Sequence, residues 1–162
     1  MAWMPYLVDG HNLIPKIPGL KLTDLDDEER LVGLLQEFCR QQRKQVEVFF
    51  DGAPPGHAGK RSYGMLTAHF IRKGTTADAA IRGRLAQLQR AARNWTVVSS
   101  DQAVQREARS RQASVLSSEE FAVLLARSLE DRADDTSSAS PDAAEIDEWL
   151  RLFGGEERKG RR

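Results

Sequence analysis

Two rhythms of hydrophobic residues alternate along the chain. Short apolar runs at Pro5–Val8, Val46–Phe50, Met65–Ile71, Trp95–Ser99 and Ala113–Leu116 have the length and make-up of buried strands. Between them, apolar residues recur at helical spacing. Leu31, Leu34, Leu35 and Phe38 define one helix, with Thr23 or Asp24 as its cap and Asp26 to Glu29 at the positive end of its dipole. Ile81, Leu85 and Leu88 define a second over 77–93, capped by Thr76, and further helices are predicted over 102–111 and 119–129. Residues 10–23 and 53–64 are rich in Gly and Pro and read as loops, while Asp9-Gly10 and Asp51-Gly52 read as turns ending the first two strands. Strands alternating with helices predict an α/β fold with a mainly parallel central sheet flanked by helices on both faces.

The pattern changes after residue 130. Residues 131–142 are Asp-, Ser- and Ala-rich and read as a flexible linker. Ile146, Trp149, Leu150 and Phe153 then mark an amphipathic helix over 143–153, and 154–162 reads as a disordered tail. That helix either closes back on the domain over 1–130 or docks its apolar face into the groove of a protein partner.

At 162 residues the chain is one domain's length, able to bury roughly two-thirds of its unfolded surface. Its single cysteine, Cys39, excludes a disulfide framework and a Cys-based zinc site, and reads as core on the first long helix. No apolar run reaches 18 residues, and Met1 to Tyr6 has no secretory pattern, so a cytoplasmic protein is expected. The 24 acidic and 24 basic residues cancel, but unevenly. Residues 1–51 carry net −3, 52–112 net +8 and 113–162 net −5. A basic middle suits a polyanion, and equally a solvated Arg-rich helix face.

Chemistry is expected at the carboxyl ends of the parallel strands, where ligands bind open α/β sheets. Asp9 follows the first strand, Asp51 the second and Asp101 the fourth; Asp78 starts the mid-chain helix, and Asn12 lies three residues after Asp9. Each aspartate alone can be a turn or cap residue. Four at one rim repel one another, and a divalent cation with hard oxygen ligands, Mg2+ or Mn2+, relieves that repulsion. Such an ion serves phosphodiester hydrolysis.

Leu7-Val8-Asp9-Gly10-His11-Asn12-Leu13-Ile14 resembles the opening motif of NYN domains, particularly the YacP-like branch. The resemblance continues through Val48–Gly52, Gly74–Ile81 and Val97–Asp101, in order and spacing, over roughly residues 4–130. It implies a PIN-like three-layer sandwich, an acidic Mg2+ or Mn2+ site and endoribonuclease activity in RNA decay, in some cases at the ribosome. By position, Asp9, Asn12, Asp78 and Asp101 match the family's catalytic polar residues. Asp51 matches an aspartate that binds metal through water or orders the loop, and His11 is assigned no catalytic role.

His57, Lys60 and Arg61 on the Gly/Pro-rich segment, with Arg72 and Lys73 before Thr76, are the expected RNA contacts. Arg82, Arg84, Arg90 and Arg93 read as a solvated helix face, His69 as a satisfied structural histidine, and Tyr63 as a base-stacking residue or a cover for the sheet edge. The alternative to a nuclease is a catalytically silent RNA- or ribosome-binding module of the same fold. A small-phosphoester hydrolase fits less well, because Asp9-Gly10-His11-Asn12 lacks a second aspartate two residues after the first.

Overall fold

The computed structural model of the chain describes residues 4–17, 20 and 25–135. Six strands form one sheet: β1 (Tyr6–Asp9), β2 (Val46–Ala53), β3 (Gly59–Tyr63), β4 (Leu66–Arg72), β5 (Thr96–Val98) and β6 (Ser114–Leu116). Among the described residues, five α-helices accompany them: α1 (Gly10–Leu13), α2 (Leu25–Gln42), α3 (Ala77–Leu88), α4 (Gln102–Ser110) and α5 (Ser118–Asp135). The strand order is β3-β4-β2-β1-β5-β6, all parallel except β3, which runs antiparallel to β4.

Side-chain alternation along the strands builds two cores. On one face Val8, Val48 and Phe50 meet Leu35 and Phe38 of α2 and Phe121 of α5. On the other, Leu7, Phe49 and Val97 meet Ile81 and Leu85 of α3 and Val104 of α4. The expected three-layer α/β sandwich is therefore present. Cys39 is core, and burial pushes its thiol up to about 12, far from reactivity at neutral pH.

Several elements depart from the sequence reading. The stretch 53–64 is not a loop throughout: it contains a short 3-10 turn, Pro55–His57, and then β3, which pairs with β4 across the turn at Gly64-Met65. Gly64 has φ +69°, a conformation that favours glycine, so the residue that signals a loop is the corner of a hairpin. Asp51-Gly52 is not a terminal turn either. β2 runs on to Ala53 with an irregular register between Phe50 and Ala53, where Gly52 has φ +78°. The first loop opens with one helical turn, α1, continued by a 3-10 turn at Ile14–Lys16. α3 stops at Leu88 because Gln89 turns to φ 52°, and a 3-10 stretch carries the chain to Asn94. α5 extends to Asp135, so the first residues assigned to the linker are helical; residues 136–162, with the amphipathic helix and tail, lie outside the described residues.

Gly10 is the residue on which α1 meets the sheet. A Cβ there would stand 2.4 Å from a ring carbon of Phe50 and 3.0 Å from the Phe49 carbonyl oxygen. Gly10→Ala is expected to cost about 2 kcal/mol by overpacking and to lower the melting temperature by about 6 °C; a thermal melt followed by circular dichroism checks this.

Candidate active site

The strand order reverses direction at β1. From β1 the chain steps outward through β2 to β4, then returns through α3 to β5 on the other side of β1. The carboxyl ends of β1 and β5 thus border the crevice where such sheets bind ligands. Asp9 ends β1 and is buried, and the Ser99 hydroxyl donates to its Oδ2 at 3.3 Å. Burial pushes the Asp9 carboxyl up to about 6; the Ser99 hydroxyl and the Asn12 backbone N–H pull it down, while the charge of Asp51 raises it and that of His11 lowers it. Asp9 pairs in register with Phe49, and Asp51 lies two residues beyond Phe49 along β2, near enough for its charge to act on Asp9.

Asp51 is held at both oxygens. Its Oδ2 accepts the Ala77 N–H at 2.9 Å, binding β2 to the first turn of α3. Its Oδ1 accepts from His11 Nδ1 at 3.0 Å. His11 Nε2 donates in turn to Glu28 Oε2 of α2 at 2.5 Å. The Glu28 bond first, and Asp51 after it, raise the His11 pKa against the effect of burial.

Asn12 is a brace. Its Oδ1 accepts both the Ser100 N–H and the Ser118 hydroxyl at 2.7 Å, joining α1 to the β5–α4 connection and to the start of α5. Asp101 caps α4: its Oδ1 accepts the Ala103 and Val104 N–H groups at 2.8 and 3.1 Å, and its own N–H donates to Ser99 Oγ. Ser99 therefore links Asp9 to Asp101. Ser100 donates to Glu119 Oε1 at 2.9 Å, and Lys16 reaches Glu119 Oε2 at 3.0 Å. The Lys16 bond, then that of its own backbone N–H and that of Ser100, hold the Glu119 carboxyl at about 2.

Asp78 behaves differently. Its Oδ1 accepts from the Thr76 hydroxyl, and its Oδ2 lies 3.4 Å from Arg82 one helical turn on. Thr76 itself caps α3 by accepting the Ala79 N–H. Four carboxylates are expected at separate positions on one rim; among the described residues, no group of three or more acidic, His or Cys side chains is placed to hold a metal ion together. Asp78 faces Arg82, and Asp51 and Asp101 each accept N–H groups at a helix N-terminus.

The basic residues divide. His57, Lys60, Arg61, Arg72 and Lys73 are all exposed on or beside the β3–β4 hairpin. Lys60 pairs with His69, which pairs with Phe49, which pairs with Asp9. Lys60 is thus level with Asp9 but three strand spacings away, about 14 Å. Arg61 lies over the Phe70 ring, 4.9 Å from its centroid. Tyr63 packs against the α2-side core, as a cover for the sheet edge does. Arg84 is not a solvated residue. It makes two 2.9 Å bonds to buried Glu47, which also accepts from His69, and it lies over Trp95. His69 is satisfied as expected, bonded to Glu47 and stacked on Phe49.

The YacP-like NYN domain family matches residues 6–150, nearly the whole chain. The chain belongs to this family. YacP-like NYN domains are PIN-like nucleases, and the match continues past residue 130, where the motifs quoted from the sequence stop. Two crystal structures of Rae1 (YacP) from Bacillus subtilis, one of them a point mutant, are similar to this YacP-like domain with TM-score 0.63 and 24% identity. The alignments cover 94% of both chains for one and 92% of both for the mutant. At that identity the likeness establishes the fold. No curated protein matches the chain. No helix among the described residues is long and apolar enough to cross a membrane.

Within this YacP-like domain, His11, to which the sequence reading assigns no catalytic role, joins the rim together with Glu28, Ser99, Ser118 and Glu119. Glu28 reads there only as a first-turn acid of its helix, and nothing local marks it as a partner for residue 11. The donor set fits a hard divalent cation in one respect that the structure supplies. Asp9 is a buried carboxylate whose charge is disfavoured and has Asp51 for its acidic neighbour. Such ions keep several waters and bind through one or two carboxylates, so a three-ligand cage is not required.

Proposed function

We propose that this chain is a metal-dependent endoribonuclease acting on mRNA or another structured RNA, free or on the ribosome. The observation that carries the reading is the buried, under-compensated Asp9 at the switch point of the sheet, beside Asp51 and bridged through Ser99 to Asp101. Asp9 and Asp51 would hold Mg2+ or Mn2+, with Asp101 and Asp78 at the margins of the same rim. When bound, the ion supplies positive charge at the phosphate and an acidified water.

The chain's own residues do the rest. Ser99 fixes the carboxylate plane of Asp9, and Asn12 holds the β5–α4 connection against α5, so the rim keeps its shape while RNA lies across it. Exposed Lys60 lies about 14 Å from Asp9, so the hairpin cations would meet phosphates flanking the scissile one. Family membership supports the nuclease class.

The test is cleavage of a structured RNA with Mg2+ or Mn2+, with a chelator as control. Cleavage that persists in chelator, or none with either ion, overturns the reading. Lys60→Ala with Arg61→Ala is expected to weaken RNA binding and to reduce the slope of log affinity against log salt by about 1.4, at roughly 0.7 per single-strand phosphate contact. The competing reading, a silent RNA-binding module, draws on the Asp78–Arg82 and Asp51–His11 pairs. It predicts salt-dependent binding without turnover.

A further inference from the structure

We infer that His11 is a positioning residue for Asp51, part of a Glu28–His11–Asp51 relay that crosses the rim from α2 to β2. The inference rests on the nuclease reading above and extends it to a residue that reading leaves without a role. Three observations carry it. Both ring nitrogens of His11 are engaged, Nδ1 with Asp51 at 3.0 Å and Nε2 with Glu28 at 2.5 Å, so the ring cannot turn without breaking one bond. The ring also rests against Phe50, centroids 5.5 Å apart, and Phe50 is fully buried. Finally, the second oxygen of Asp51 is held by the Ala77 N–H, so His11 and α3 together fix the carboxylate's orientation from two sides.

The spacing along the chain strengthens the case. Asp9 and His11 flank Gly10, which cannot carry a Cβ, so the segment placing Asp9 in the crevice also places His11 against Asp51. With both nitrogens committed to carboxylates, His11 has no N–H left for a phosphate. Its action on the reaction therefore runs through Asp51. Outer partners that orient a carboxylate or histidine ligand tune metal affinity by about 10–100-fold.

The experiment measures Mn2+ binding to the metal-free full chain by calorimetry, alongside the Mn2+ concentration that half-saturates RNA cleavage. His11→Phe keeps a ring against Phe50 and removes both donors. It is expected to weaken Mn2+ binding about 10–100-fold, with cleavage at saturating Mn2+ much less affected. Glu28→Gln, which leaves the imidazole in place, is expected to move the same constant in the same direction by less. In an Asp51→Asn background, His11→Phe should have no further effect on Mn2+ binding. A purely packing role predicts a lower melting temperature with unchanged Mn2+ affinity in both single variants, and that result overturns the inference while leaving the nuclease reading intact. A parent chain that neither binds Mn2+ nor cleaves RNA removes both.

Discussion

Asp9→Asn is expected to abolish RNA cleavage while raising the melting temperature at pH 7. The activity loss follows from placing Asp9 at the centre of the rim. Metal-assisted charge stabilisation is worth several kcal/mol, so at least about a thousandfold in rate is at stake. The gain in stability follows from burial. The Asp9 carboxyl goes from 3.8 to about 6 in the fold, so between those values the folded chain binds more protons than the unfolded one. Stability is then lost as pH rises through that window and stays lower above it, by about 3 kcal/mol for a shift of about two units. Asparagine removes the charge and keeps the shape. The variant should melt above the parent at pH 7 and alongside it near pH 4. Mn2+ should raise the melting temperature of the parent alone. Cutting at the parental rate takes Asp9 out of the chemistry, and a lower melting temperature at pH 7 takes burial out of the account of its pKa.

The second large effect lies away from the rim. Burial opposes the charge on Glu47, but hydrogen bonds from His69 and Arg84 outweigh it and hold the carboxyl at about 2. Arg84→Met leaves a buried carboxylate with His69 as its remaining partner. Breaking one side of a buried ion pair costs about 3–5 kcal/mol, a fall of about 9 °C or more. Replacing both partners, Glu47→Leu with Arg84→Met, is expected to restore most of that stability, since no charge is then stranded. The pH dependence has the opposite sign to that of Asp9. The pair's contribution is present above about 4.5 and lost as pH falls towards about 2, and the double variant should lack this acid sensitivity. Melting curves of the three proteins between pH 2 and pH 7 decide the matter. A double variant as unstable as Arg84→Met would mean that packing, not charge, fails.

The parallel sheet was legible because its strands are uninterrupted apolar runs, and the two-sided core follows from them: Leu7 and Val8 each find a helix to cover them. β3 was not legible, since Gly59, Lys60, Arg61 and Ser62 are polar and exposed, and only Gly64 marks the hairpin. At the rim, Asp9 and Asn12 could be placed from their position after β1. Their partners could not. Asn12 meets Ser118, 106 residues away, and His11 meets Asp51, 40 away, and such pairings depend on strand order. The Asp78–Arg82 pair is legible from its i,i+4 spacing on the predicted helix, but an acid in a first turn also serves the dipole, and Arg82 reads equally as part of a solvated face.

β3 also terminates the sheet, and its outer edge is lined by cationic Lys60 and by Arg61, both exposed. A second molecule adding its own β3 there would bring like charges together along the shared border, which opposes edge-to-edge growth. Stripping those cations to test the proposed RNA contacts would at the same time remove a guard against self-association, so a loss of solubility is expected to accompany the double substitution.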